Sequence, residues 1–223
     1  MSIGHVLLGA LLCWGVLGPA MDCNATDALP AAGQPEMAAP SKPGRNYLLN
    51  PQFANLDAAS GEPANWFLSA HATTGSYQLS ARDGVATLRR VGPEVWGLLS
   101  QTVPTAGLEG KLVEFSVDVK AHLTNEYGEE PFDKTDLQVV LRGVRAGSNA
   151  LFGKTDLVTE QGPGMDVGER DWHRRSLRFR IPAANEASAL ELMVAMQLTR
   201  GGELWLRDPK LSVLRDKPDA IAE

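Results

Sequence analysis

The stretch GKLVEFSVDVKAHL, residues 110–123, decides the fold class. Its apolar residues Val113, Phe115, Val117 and Val119 alternate with polar or charged ones. A period of two residues is typical of a β-strand that buries one face and exposes the other. The stretches WHRRSLRFRIP (172–182) and ALELMVAMQLT (189–199) show the same alternation, so they are predicted to be strands of the same kind.

Shorter strands are predicted around these three, separated by turns rich in Gly, Pro, Asn and Asp. They lie at 47–49, 66–69, 77–81, 85–90, 98–103, 137–142 and 203–214. About ten strands without a long amphipathic helix indicate an all-β fold, a jelly-roll β-sandwich. The segments 124–136 and 145–171 are predicted to be long loops, which are functional or mobile when they occur in a compact domain.

The first 25 residues are predicted to be a signal peptide, with a membrane anchor as the alternative, because an apolar run extends from Val6 to Leu17. Cys23 offers a lipid-anchor alternative, and the sequence after it contains no cysteine for a disulfide. Residues 26–45 are rich in Ala and Pro and are predicted to form a disordered linker. The β-sandwich is placed at 46–215, with a C-terminal tail at 216–223. The protein is therefore expected to be secreted or periplasmic, or else membrane-anchored.

Charge and composition narrow the class of partner. The chain has 43% hydrophobic and 22% charged residues, as a globular protein does, and a formal net charge of -6. Nucleic-acid binding depends on clusters of Lys and Arg that neutralise phosphates. Nucleic acid is therefore not expected as a partner.

Five motifs occur in an order that resembles one family. They are LLNPQFA (48–54) followed by ANWF (64–67), VWGLLSQTV (95–103), GKLVEFSVDVKA (110–121), RDWHRRSLRFRIPA (170–183) and GGELWLRDPKLSV (201–213). The chain resembles the galactose-binding-like jelly rolls of family 4/9 carbohydrate-binding modules over residues 46–214. The resemblance implies a non-catalytic module that binds a polysaccharide or another glycan. It also implies that Trp66 and Trp172 pack in the core.

One departure from the family concerns metal. These modules commonly carry an acidic residue directly after the Asn-Pro-x-Phe motif, where it resembles part of a structural calcium site. This chain has Ala54 there. No cofactor is therefore expected, and a structural calcium ion stays an open alternative.

No catalytic motif is present in the sequence, so the protein is not expected to be an enzyme. The carboxylates of NEYGEEPFDKTD (125–136) lie on a predicted loop, and a solvated acidic loop is favoured there over a pair of catalytic acids. His71, His122 and His173 have no sequence context that marks them as ligands or bases, so they are predicted to be surface residues.

Sugar recognition needs an aromatic face for stacking and side chains that donate and accept hydrogen bonds. Trp96, just before a predicted strand, is the candidate for stacking, with a structural role in covering the edge of the sandwich as the alternative. Tyr127 and Gln197 are candidates for polar contacts. Trp205 is predicted to face away from Leu204 and Leu206. The predicted function is that of an exported non-catalytic carbohydrate-binding protein. The alternative is a structural or protein-interaction module with a cell-envelope partner and no sugar binding.

Overall fold

The computed structural model describes residues 44–69, 75–128, 134–148 and 153–214, and these form two antiparallel five-stranded sheets. The first sheet has the order β1-β4-β9-β6-β7 and the second has the order β2-β3-β10-β5-β8. The strands are β1 (Phe67–Leu68), β2 (Tyr77–Arg82), β3 (Val85–Arg90), β4 (Gly97–Val103), β5 (Leu112–Thr124), β6 (Asp136–Arg145), β7 (Thr155–Gln161), β8 (Gly168–Arg180), β9 (Ala187–Leu198) and β10 (Gly201–Val213).

The predicted all-β jelly-roll sandwich is thereby confirmed. Within the described ranges, the chain contains no helix that is long and apolar enough to cross a membrane.

The core lies between the two sheets, and the alternation in sequence places the apolar side chains there. All four alternating apolar residues of β5 are buried, and Phe115 is 0% exposed. In β9 the same alternation buries Leu192, Val194, Met196 and Leu198. The faces predicted for these strands are therefore correct, because a strand with one buried face shows its orientation in its local sequence.

Two predictions about strands are wrong. Residues 47–49 form no strand. Tyr47 N donates to Leu211 O at 2.9 Å, and the side-chain amide of Gln101 binds both the N–H and the C=O of Leu49, at 2.7 and 3.0 Å. Thus the Gln101 side chain, rather than a neighbouring strand, hydrogen-bonds to the backbone N–H and C=O of Leu49.

The segment 145–171 is not one long loop, because it contains β7 and the beginning of β8. Strand β7 is an edge strand with the sequence TDLVTEQ, in which most residues are exposed or half-buried and polar. Such a strand lacks the alternation of apolar and polar residues that burial of one face imposes. It forms because its backbone hydrogen-bonds to β6.

Asn46, near the start of the described residues, hydrogen-bonds to the sandwich. Its Oδ1 accepts from Leu48 N and Leu211 N, both at 3.1 Å, and its Nδ2 donates to Pro209 O at 2.9 Å. Asn46 therefore attaches the chain to β10. The predicted signal peptide (1–25), most of the predicted linker (26–45) and the predicted tail (216–223) lie outside the described residues.

We expect that removing residues 1–45 changes the melting temperature by no more than a few degrees, because that segment holds none of the core residues named above. Thermal unfolding of the shortened chain and of the longer exported form would check this. The matched control is the shortened chain carrying Asn46→Ala, which loses the three hydrogen bonds and should melt at a lower temperature. A large loss of stability on removing residues 1–45 alone would contradict the predicted boundary.

Candidate functional site

Arg90 is a buried cation that joins three segments at one end of the sandwich. The residue is 3% exposed. Its Nε and Nη2 donate to the carbonyls of Gly92 and Pro93 at 3.1 and 3.0 Å, and its Nη1 donates to the carbonyl of Thr199. Its guanidinium carbon lies 4.5 Å from the centroid of the Tyr127 ring. Arg90 therefore connects the segment before β4, the turn after β5 and the end of β9.

Trp96 is half-buried and ends the segment that Arg90 holds. Tyr77 supports the same segment, because its hydroxyl donates to Glu94 O at 3.0 Å and its ring packs against the backbone of Gly97. A Cβ at Gly97 would lie 2.5 Å from the Tyr77 ring, so this close approach requires glycine. The backbone on both sides of Trp96 is therefore held in place.

Tyr127 is also half-buried and lies in the turn that follows β5. Gly128 N donates to Asn125 O at 3.0 Å, and Arg200 Nη1 donates to Asn125 Oδ1 at 2.8 Å. Together with the contact from Arg90, these bonds bring Tyr127 to the same end of the sandwich as the segment that carries Trp96.

Gln197 lies in β9, where its register partners are Leu98 of β4 and Asp136 of β6. The residue is only 4% exposed, and its Oε1 accepts a hydrogen bond from Gln161 Nε2 at 3.4 Å. Gln197 pairs with Leu98, one register position from the pair Gly97–Leu198. Gly97 follows Trp96 directly in the sequence, so Gln197 lies near the segment that carries Trp96. Its amide is already engaged within the protein, with Gln161 lying beside it.

The outer face of the first sheet extends away from this end. Residues of this face alternate along each strand with core residues such as Leu99 and Val139. One row of register partners crosses all five strands without a charged side chain, and we call it the neutral row. It consists of Phe67, Ser100, Ala195, Gln138 and Gln161. Phe67 at its end is 63% exposed.

The next row, Thr102, Met193, Val140 and Thr159, is also uncharged. Charged side chains lie beyond it in pairs. Arg142 Nε contacts Asp156 Oδ1 at 2.9 Å, and Lys154 Nζ contacts Glu191 Oε2 at 2.9 Å. The hydrogen bond from Lys154 and its positive charge hold the pKa of the Glu191 carboxyl below its ordinary value.

Asp136 corrects the prediction of a solvated acidic loop. Its carboxylate is 1% exposed and pairs with Arg175 of β8, whose Nε donates to Oδ1 at 3.0 Å. Gly164 N donates to Oδ2 at 2.9 Å. The pair bridges the two sheets, so this carboxylate is structural. Glu129, Glu130 and Asp133 of the same predicted loop lie outside the described residues.

The LLNPQFA and ANWF motifs at the start of the domain are structural. Asn50 Nδ2 donates to the carbonyls of Asn55 and Ala64, at 2.8 and 2.9 Å, while Trp66 Nε1 donates to Asn50 O at 3.2 Å. Phe53 packs on Trp66 with ring centroids 5.2 Å apart. Trp66 is 5% exposed, which confirms its predicted place in the core.

Trp172 does not lie in the core, so that prediction is wrong. It is half-buried, and the guanidinium carbon of Arg207 lies 4.1 Å from its ring centroid. In the part of the chain that the structure describes, no group of three or more His, Cys, Asp or Glu side chains could hold a metal ion. His71 lies outside that part, and His122 and His173 are exposed or half-buried.

Sequence reasoning missed three residues of this face. Phe67 directly follows the buried Trp66, and Gln138 lies between the buried Leu137 and Val139, so alternation could have placed both outside. Gln161 had no such signal, because β7 itself was not predicted.

The fold is similar to that of carbohydrate-binding modules. No protein-family model and no curated protein sequence matches the chain. Among solved structures, a CBM4 module is 16% identical, with a TM-score of 0.43, over 74% of this chain and 99% of that chain. The CBM22-1 xylan-binding domain of Xyn10C from Paenibacillus barcinonensis is 13% identical, with a TM-score of 0.46, over 81% and 100%. The Stig cyclase Fisc from Fischerella sp. TAU is 12% identical, with a TM-score of 0.49, over 77% and 98%.

Proposed function

We propose that the protein is an exported, non-catalytic carbohydrate-binding protein that binds a neutral glycan along the outer face of the first sheet. The observation that carries this proposal is the neutral row. Five register partners cross the sheet without a charge, with an exposed phenylalanine at one end and two glutamines at the other. The neutral row itself contains no cation that could bind a phosphate or carboxylate group of a ligand.

The chemistry of the neutral row suits a pyranose chain. A sugar ring has an apolar face that stacks on an aromatic side chain, and its hydroxyls both donate and accept hydrogen bonds. Gln138 and Gln161 provide amides that do both, and Ser100 provides a hydroxyl. Ala195 in the centre is 0% exposed, so the accessible groups of the row are Phe67, Ser100, Gln138 and Gln161. Five strands about 4.8 Å apart make the row roughly 19 Å long, which is enough for several sugar rings.

The proposed site also includes Trp96 and Tyr127, which lie at the end of the sandwich held by Arg90. A binding site performs best when its side chains are fixed before the ligand arrives. The bonds from Arg90 and Tyr77 hold the segment of Trp96 in this way. Trp96 is therefore proposed as a stacking residue and Tyr127 as a polar contact, while Gln197 orients Gln161.

The resemblance of the five sequence motifs to carbohydrate-binding modules supports the same function. We propose a secreted or periplasmic location, with a membrane anchor as the alternative, and no cofactor. The absence of a catalytic motif from the sequence supports a binding role.

We expect Trp96→Ala to weaken glycan binding by about 1–3 kcal/mol and to leave the melting temperature nearly unchanged, by analogy with stacking energies on other ring ligands. Isothermal titration calorimetry with hexasaccharides of β-linked glucose, xylose and mannose would measure the effect. Phe67→Ala should also weaken binding, because it removes the exposed ring of the neutral row.

The control for both variants is Leu112→Ala, which removes an apolar side chain that is 40% exposed on the second sheet. It should bind as the wild type does. The proposal fails if the wild-type protein binds none of the hexasaccharides. If Trp96→Ala unfolds the protein, Trp96 is structural instead.

One observation favours the alternative function. Phe67 is 63% exposed, and the row beside it contains Met193 and Val140, so this face also has the apolar side chains of a protein interface. A structural or protein-interaction module of the cell envelope would therefore use the same surface. In that case Phe67→Ala abolishes capture of an envelope protein, and no hexasaccharide competes with it.

A further inference from the structure

The opposite side of the sandwich, the outer face of the second sheet, carries a cleft of about 410 Å³. This volume falls within the range of small-molecule sites, which is roughly 300–1,000 Å³. None of the lining residues belongs to the neutral row or to the end held by Arg90. The side chains that matter for recognition are Trp205, Lys120, His122, Glu169, Arg170 and Asp171.

A β-bulge shapes the cleft. Val119 of β5 pairs with His173 of β8, but Ala121 pairs with Arg170. Lys120 alone therefore faces two residues of β8, Asp171 and Trp172. A bulge of this kind bends its strand and redirects side chains, and bulges are frequent beside functional sites.

Trp205 forms the aromatic wall of the cleft. It pairs with Lys120 across β10 and β5, and its neighbours Leu204 and Leu206 are buried in the core, so it faces outward as the sequence predicts. The residue is half-buried, and Lys120 Nζ lies 5.5 Å from its ring centroid. The Trp205 ring therefore lines the cleft and makes a cation–π contact with Lys120.

Hydrogen-bond donors and hydrogen-bond acceptors both lie around the Trp205 ring. His122 Nδ1 lies 3.3 Å from Glu169 Oε1, and the Glu169 side chain is 83% exposed. Arg170 Nη1 donates to Asp166 O at 2.8 Å, which fixes the guanidinium beside the cleft. Lys120 and Arg170 balance the charges of Glu169 and Asp171. The cleft therefore presents strong donors and acceptors but has no net charge to attract an ion.

We infer that this cleft is a second carbohydrate site, which takes a neutral pyranose unit stacked on Trp205. An aromatic face combined with adjacent donors and acceptors meets both requirements of a sugar ring, and the balanced charge favours a neutral ligand. The inference adds a second site to the proposed function, and each site depends on its own residues. Two sites on opposite faces let one protein molecule hold two glycan chains, which raises its avidity for a polysaccharide network.

The test uses the indole N–H signals of the protein labelled with ¹⁵N at its tryptophans. Single Trp→Phe variants assign the signals, and the probes are hexasaccharides of β-linked glucose, xylose and mannose. We expect the Trp205 signal to shift in a saturable way with at least one probe. Trp205→Ala should lower affinity at this cleft by about fivefold to a hundredfold, which corresponds to the loss of one stacked ring. Trp205→Phe, which keeps a ring, should retain most of the binding.

The outcomes separate the two sites. If the Trp96 signal shifts and the Trp205 signal does not, the second site is refuted and the proposed function stands. If only Trp205 responds, the cleft binds sugar and Trp96 takes no part in binding. If no signal responds to any probe, the second site is refuted, and calorimetry on the wild type and on Phe67→Ala decides on the neutral row, which contains no tryptophan. The measurement on the wild-type protein decides among these results even if Trp205→Ala does not fold.

Discussion

Phe115→Ala is expected to lower the free energy of unfolding by about 3–5 kcal/mol, the usual result of emptying a buried aromatic site. Phe115 is 0% exposed and lies in β5, which hydrogen-bonds to β10 on one side and to β8 on the other. The site has little freedom to collapse around a cavity, because core residues in both sheets surround it. Unfolding in guanidinium chloride, followed by tryptophan fluorescence, would measure the loss.

Phe67→Ala is the matched control, since it makes the same chemical change at a residue that is 63% exposed. It should alter the free energy of unfolding by no more than about 0.5 kcal/mol, as surface substitutions usually do. A loss below about 1 kcal/mol for Phe115→Ala would mean that β5 turns its other face to the core.

Arg90→Met is expected to lower the free energy of unfolding by about 2–4 kcal/mol. The substitution preserves much of the side-chain volume but leaves three carbonyls without their charged donor. The loss of these hydrogen bonds is partly offset, because methionine does not carry the cost of burying a charged guanidinium. It also removes the cation beside the Tyr127 ring. Glycan affinity should fall together with stability, because the segment of Trp96 loses its support.

Arg89→Met is the control for this second variant. Arg89 precedes Arg90 in β3 but is exposed, so its replacement should change stability by less than about 0.5 kcal/mol and leave glycan affinity unchanged. Equal effects of the two substitutions would show that Arg90 does not anchor this end of the sandwich. Chemical denaturation and calorimetry on both variants would check these expectations.

The candidate site was only partly predictable. Trp96, Tyr127 and Gln197 were chosen for their chemistry, and the structure brings the first two to one end through Arg90. Alternation with Ala86 and Leu88 places Arg90, and not Arg89, on the inward face of β3, but it does not show what binds the buried guanidinium. The carbonyls that do so come from Thr199, just after β9, and from the segment before β4. Whether the three residues bind sugar stays a prediction.

The tryptophans show that alternation was a better guide than the resemblance. Trp205 lies in a stretch of β10 that pairs regularly with β3 and β5, so counting from Leu204 and Leu206 gives the correct face. Counting from Leu177 and Phe179 in β8 likewise places Trp172 on the outward face, where the structure finds it half-buried. The core position expected for Trp172 came from the resemblance and not from its position in the strand.

The sequence by itself determined the fold class and the inward faces of β5 and β9, because a strand that buries one face must repeat apolar residues at every second position. The tertiary structure alone decided that β7 is a strand, that residues 47–49 are not, and that the five positions of the neutral row lie side by side. Edge strands and rows across a sheet depend on hydrogen bonds between segments that are distant in the chain. No local pattern of side chains encodes which distant edge a segment will meet.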